Sequence, residues 1–194
     1  MTVKRNHTLS SIIYFVTITC IDFKNLIDET NLYDFILLQF NILNKEGCFI
    51  CGFVIMPNHF HFLLYIPPSV QLNKRIGNMK RFMSYEIINR LNKMDNKTRL
   101  EQLSNHVSNS DSIKGKKHDV FIDSFDAKMC WGHDFIEQKL DYMHRNPIQG
   151  KWNLSEDVIS YAWSSASFYL NHQNEKHPFL KDYRNIIDEG LIVF

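Results

Sequence analysis

Residues Gly52 to Pro67 read GFVIMPNHFHFLLYIP and centre on His59-Phe60-His61, two imidazoles separated by one bulky apolar residue. In an extended strand side chains alternate between faces, so His59, His61, Leu63 and Tyr65 share one face while Phe60, Phe62, Leu64 and Ile66 share the other. The phenylalanine-rich set reads as a core face under packed helices. The histidine set brings two neutral nitrogen ligands within about 7 Å of each other on one surface. Pro57-Asn58 in front is a turn signal, and Pro67-Pro68 behind stops the strand. Two histidines on a half-exposed strand are compatible with a metal site and equally with plain solvation.

Working outward, Tyr14 to Cys20 is β-branched and aromatic and predicts a first strand. Leu32, Ile36, Phe40 and Leu43 recur at helical spacing, and Gly47 supplies a stop. Phe49 to Met56 predicts a second strand, joined through the tight Pro57-Asn58 connection to a third over His59 to Ile66. From Val70 to Lys93 the period is helical again, with Leu72, Ile76, Met79, Met83, Ile87 and Leu91 as the buried stripe. The opposite side carries Lys74, Arg75, Lys80, Arg81, Arg90 and Lys93 against the single acid Glu86. Such a face is either solvated or turned to phosphates.

Asp95 to His118 is polar and predicts an insertion, mobile or folded as a small helix over Thr98 to Val107. Val120 to Ile122 is the candidate fourth strand. His133 to Arg145 predicts a helix with Ile136, Leu140 and Met143 as its core stripe, ended by Pro147. Gln138, Tyr142 and Asn146 recur at intervals of four on a different face. Tyr142 is thereby either a rim tyrosine or a functional one. Trp152, Tyr161 and Trp163 are expected to pack a C-terminal segment on the sheet.

The chain of 194 residues, 44% hydrophobic and 13% aromatic, is long enough for one globular domain with a sizeable core. Twenty-two basic against 21 acidic residues leave a net charge of +1, so only the distribution of charge bears on nucleic acid. Four cysteines do not make a disulfide framework at this length. Cys48 and Cys51 lie three apart on a strand, hence on opposite faces, and read as buried reduced thiols of a cytoplasmic protein rather than a zinc pair. Lys4 and Arg5 precede the apolar run SIIYFVTITCI, but no small-residue cleavage site follows and the run alternates with Thr17 and Thr19, so it reads as a strand. No run reaches the roughly 18 to 20 apolar residues of a membrane span.

Taken together, MPNHFHFLL, MKRF, KLDYMHRNPIQGKW and YAWSS resemble a single-tyrosine HUH transposase of the IS200-like family, nearest to its REP-associated tyrosine transposase branch. His59-Phe60-His61 matches the His-hydrophobic-His motif. Tyr142-Met143-His144-Arg145-Asn146-Pro147 matches the branch signature Tyr-Ile/Val-His-x-Asn-Pro, with methionine for the usual β-branched residue. The resemblance implies an α+β fold with a central antiparallel sheet, ferredoxin- or RRM-like, and helices on one face. It implies a domain over residues 1–170, interrupted by the polar insertion at about 94–118, and leaves a tail at 171–194 without a role. It also implies a metal-dependent enzyme that nicks and rejoins single-stranded or hairpin DNA through a 5′-phosphotyrosine. Carried over residue by residue, Tyr142 matches the nucleophile, His59 and His61 two metal ligands, and Asn146 the third through its amide oxygen. That mixed donor set suits Mg²⁺ or Mn²⁺. Lys74, Lys80, Arg81 and Arg145 are the candidate DNA-binding residues. The expected setting is the bacterial cytoplasm at the nucleoid, without membrane attachment, as a monomer or homodimer. Two other readings stay open. One is a non-cleaving hairpin DNA/RNA-binding module on an RRM-like sheet. The other is a zinc hydrolase, which needs a third strong ligand beside the histidines.

Overall fold

The computed structural model describes residues 12–171 and 176–192. Lys4 and Arg5, on which part of the leader-peptide reading turned, lie outside the described residues. In chain order the elements are β1 (Ile12–Thr19), α1 (Leu26–Glu29), α2 (Tyr33–Lys45), β2 (Ile50–Ile55), β3 (His59–Ile66), α3 (Leu72–Lys93), α4 (Lys97–Asn105), α5 (Asn109–Ile113), β4 (Asp126–Met129), α6 (His133–Arg145), α7 (Ala166–Asn171) and α8 (Tyr183–Asp188). The strands form one antiparallel sheet in the order β2-β3-β1-β4. This is the ferredoxin-like arrangement expected of an α+β chain.

Alternation along the central strands splits the core in two. Tyr14, Val16 and Ile18 of β1 join Phe60, Phe62 and Leu64 of β3 on one face. There Phe40 of α2 meets the rings of Phe53, Phe60 and Phe62 at 5.5, 6.3 and 5.3 Å. All six residues of the α3 stripe are buried against the same face. On the other face Ile13, Phe15, Leu63 and Tyr65 pack under Ile136, Leu140 and Met143 of α6. Helices α2 and α3 thus cover one side as expected, while α6 crosses the opposite, histidine-bearing side.

Gly52 makes that crossing tight. A Cβ there would stand 2.6 Å from Leu140 Cδ2 and 3.3 Å from Met143 Cε, so the missing side chain lets α6 settle on β2. His144 adds a polar tie. Its Nε2 lies 3.0 Å from Ser165 Oγ, which in turn takes the Phe53 N–H at 2.9 Å.

The fourth strand is not where the sequence suggested. Val120 to Ile122 continues along the end of β1 only through the Cys20–Phe121 bridge and flanking backbone bonds. The strand itself is Asp126–Met129, paired with β1 from Tyr14 to Thr17. A short edge strand reading Asp-Ala-Lys-Met has no β propensity to announce it; pairing with β1 makes it. The insertion folds as two helices. Asn96 caps α4 by accepting from Arg99 N–H, Ser108 caps α5, Leu103 is buried, and Arg99 pairs with Glu29 at 2.9 Å. In the C-terminal segment Tyr183 and Ile186 are buried in the cluster that holds α6. All four cysteines are buried and free. No described helix is long and apolar enough to cross a membrane.

Candidate active site

β3 leaves its tight turn at His59, and strand alternation puts His59 and His61 on the α6 side, with ring centroids 4.8 Å apart. Their Nδ1 atoms are both occupied. Asn58 donates through Nδ2 to the Phe23 carbonyl at 2.9 Å, which turns its Oδ1 to His59 Nδ1 at 2.6 Å. His59 Nδ1 therefore carries the proton and its Nε2 the lone pair. His61 pairs in register with Thr17 of β1, and Thr17 Oγ1 lies 2.8 Å from His61 Nδ1. With Nδ1 held from behind, the Nε2 atom faces forward. His61 is 5% exposed, and its Nε2 is buried without a partner among the described residues.

Both imidazoles are held neutral. Burial pushes the His61 pKa down to about 3, aided by the neighbouring His59 and the charge of Lys139. Burial pushes His59 down to about 4, aided by Lys151. Two neutral rings with anchored Nδ1 atoms, one of them with an orphaned buried Nε2, fit a divalent cation. Among the described residues no group of three or more His, Cys, Asp or Glu side chains is placed to hold a metal ion. A zinc hydrolase set of that kind is thus missing there, whereas a ligand set completed by an amide oxygen remains compatible.

Helix α6 supplies the other half. The Tyr142 ring stands edge-on to His61 at 5.3 Å and to Phe15 at 6.1 Å. Its side chain is 47% exposed, and its hydroxyl has no hydrogen bond among the described residues. Asn146 closes the helix one turn later, half-buried, with its side chain free of hydrogen bonds among the described residues. The chain then returns past Pro147 to Trp152, whose ring lies 6.0 Å from His59. Tyr142 and Trp152 bracket the histidine pair, and Asn146 lies between them in the chain.

The expected DNA-binding residues are not gathered here. Lys74, Lys80 and Arg81 stand on α3, across the sheet from the histidines. Lys80 is committed to the Ile122 and Asp123 carbonyls at 2.6 and 2.8 Å, and burial lowers its pKa to about 8. Lys74 and Arg81 are exposed, the latter over the Phe82 ring at 5.1 Å. Arg145 is on α6 but pairs with Asp141 at 2.7 Å. The cations felt by the histidines are Lys139 and Lys151 instead. Sequence reading passed over both, together with Thr17 and Asn58. Lys139 three residues before Tyr142 was the signal available for one of them. Nothing local distinguished Thr17 from an ordinary strand threonine.

The sequence model described as "Transposase IS200 like" matches residues 8–122. The chain belongs to the IS200-like transposase family. The matched stretch takes in the histidine pair and stops before α6, so Tyr142 and Asn146 lie beyond it. Among solved structures, this IS200-like transposase resembles a REP-associated tyrosine transposase bound to a REP hairpin, at 13% identity and a TM-score of 0.61 over 94% of this chain and 90% of that one. At that identity the likeness is one of fold. A crystal structure from Deinococcus radiodurans described as a transposase is a weaker likeness, with 15% identity, 74% of this chain, 98% of that one and a TM-score of 0.43. No curated protein matches the chain significantly.

Proposed function

We propose that this transposase cuts and rejoins hairpin-bearing single-stranded DNA with Tyr142 as nucleophile, and that His59, His61 and Asn146 hold a divalent cation, Mg²⁺ or Mn²⁺. The observation that carries the reading is the position of Tyr142, with an unbonded hydroxyl and a ring 5.3 Å from His61. Packing does not ask for that hydroxyl, and the α6 core stripe is complete without it.

In this reading the Tyr142 oxygen gives a lone pair to phosphorus and its proton passes to solvent. The bond to the 3′ oxygen breaks, and that oxygen leaves with the bonding pair and takes up a proton. A 5′-phosphotyrosine and a free 3′-hydroxyl result. Because the ester conserves the bond energy, attack by a 3′-hydroxyl reverses the step without a nucleotide cofactor. A cation held by His59, His61 and Asn146 would offset the charge of the phosphate and so favour attack on an anionic centre. The protein's own part is to hold both imidazoles neutral, to present their Nε2 atoms together, and to place the phenol beside them on a rigid helix.

The test uses hairpin oligonucleotides drawn from inverted repeats beside the gene, end-labelled and incubated with Mg²⁺ or Mn²⁺. Wild-type protein should become covalently labelled through a 5′ phosphate. Tyr142→Phe should fold and bind the hairpin but form no adduct. Cleavage surviving in Tyr142→Phe would mean that water attacks. Binding without cleavage by the wild type would leave the non-cleaving hairpin module.

A further inference from the structure

Lys139 stands on α6 three residues before Tyr142, half-buried, with its ammonium among three aromatic rings. It lies 4.9 Å from the centroid of Phe135, 5.2 Å from Phe15 and 5.9 Å from Tyr142. Phe15 is shared with the histidine pair, since its ring stacks on His61 at 5.2 Å. The wall of the lysine cage is therefore also a wall of the site.

Lys139 forms no ion pair among the described residues. Three other cations on and beside α6 are paired off. Arg145 pairs with Asp141 at 2.7 Å, Arg184 with Glu137 at 2.8 Å, and Lys128 with Asp126 at 3.8 Å on the adjoining edge strand. Ring faces attract an ammonium but accept its N–H groups poorly. A half-buried cation of this kind has lost part of its hydration and keeps donors for an anion.

We propose that Lys139 binds a non-bridging oxygen of the phosphate that Tyr142 attacks. The inference rests on Tyr142 being the nucleophile and adds a second catalytic residue to that step. No bond is made or broken at Lys139. Its ammonium offsets the charge that repels the incoming phenol oxygen and that grows on the phosphoryl oxygens during transfer. The three rings hold the lysine stem and limit where the ammonium can reach, so the charge is in place before DNA arrives. A purely structural role, a cation–π strut bracing α6 on β1, predicts a different pattern of effects.

The experiment measures the single-turnover rate of adduct formation for wild type, Lys139→Met, Lys139→Gln and Lys139→Arg, with hairpin affinity and melting temperature alongside. The probe is the hairpin cut by the wild type, made with either a phosphodiester or an uncharged methylphosphonate at the cleavage position. Lys139→Met should lower the rate about 100-fold, the usual effect of removing one donor from a developing anion. Hairpin affinity should hold, and Lys139→Arg should restore most of the rate. On the methylphosphonate the difference between wild type and Lys139→Met should nearly vanish, because the charge that Lys139 meets is gone. An unchanged rate in Lys139→Met, or an equal loss on both substrates, overturns the proposal in favour of the strut. If Lys139→Met does not fold, Lys139→Gln answers the same question at similar length. Absence of any wild-type adduct overturns the nucleophile reading and this inference together. A wild-type adduct with an unimpaired Lys139→Met overturns this inference alone.

Discussion

Thr17→Val tests whether the histidine pair is built to bind a cation or is merely packed. The substitution keeps the shape of the side chain and removes the oxygen 2.8 Å from His61 Nδ1. His61 is almost fully buried and its Nε2 already lacks a partner, so the variant leaves the ring with no hydrogen bond among the described residues. Stranding one polar group in such a place costs about 2 kcal/mol. For a chain of this length that is roughly 4–8 °C of melting temperature. Valine's better strand propensity returns a few tenths of a kcal/mol at most. The second effect concerns the cation. Losing the group that orients a ligating imidazole lowers metal affinity about 10- to 100-fold. Titrating Mn²⁺ against the apoprotein by calorimetry, with a melting curve for each variant, reads both numbers. Nitrogen-15 NMR of the wild-type rings should show both histidines neutral with the proton on Nδ1. Undiminished Mn²⁺ affinity in a folded Thr17→Val, or a wild-type His61 protonated on Nε2, would refute the argument that β1 aims this ring at a metal.

Four further expectations follow from particular contacts. His59 and His61 have pKa values depressed by burial to about 4 and about 3, against about 6.5 in an unfolded chain. Between those limits the unfolded state binds more protons, so their contribution is full above about pH 6.5 and is lost as pH falls through about 4. A His59→Asn, His61→Asn variant should therefore lose less stability than wild type between pH 6.5 and 4, as denaturant midpoints at each pH will read. Gly52→Ala pushes a Cβ against Leu140 and Met143. It should cost about 1–2 kcal/mol through overpacking and, by shifting α6, slow adduct formation more than it weakens hairpin binding; a kinetic effect no larger than the binding effect would count against α6 placement as the limiting feature. Lys151→Gln should lower the salt slope of hairpin binding by roughly 0.7 to 0.9, one phosphate contact. Lys74→Gln with Arg81→Gln should leave that slope unchanged, since α3 lies across the sheet; a fall after this double substitution would extend the DNA footprint to the far side.

Much of this fold can be read directly from the chain, because the sheet and its first helical layer are written in periodicity. The alternation over His59 to Ile66 assigns each side chain to a face whatever the neighbouring strand turns out to be. The stripe from Leu72 to Leu91 is fully buried because no other helical register would hide those six residues together. The turn at Pro57-Asn58 and the stop at Pro147 depend only on local backbone chemistry. The motifs around His59 and Tyr142 were legible for the same reason: a helix or strand fixes the spacing of side chains over a few residues.

What the sequence alone could not supply are relations between segments far apart in the chain. The fourth strand, Asp126–Met129, has no signature of its own and exists through its pairing with β1. Asn58 looked like a turn residue, yet its amide sets which His59 nitrogen carries the proton. Thr17 meets His61 across 44 residues of chain, and the partnership is created by the β1–β3 register. Lys80 has the composition of a phosphate contact but is spent on two carbonyls, while Lys139 and Lys151 come to the histidines because α6 and the loop after it cross the sheet there. Periodicity determines which face of an element a residue occupies, since that is a property of local backbone geometry. Which other face it meets is decided only when the sheet closes and each buried polar atom must find a partner.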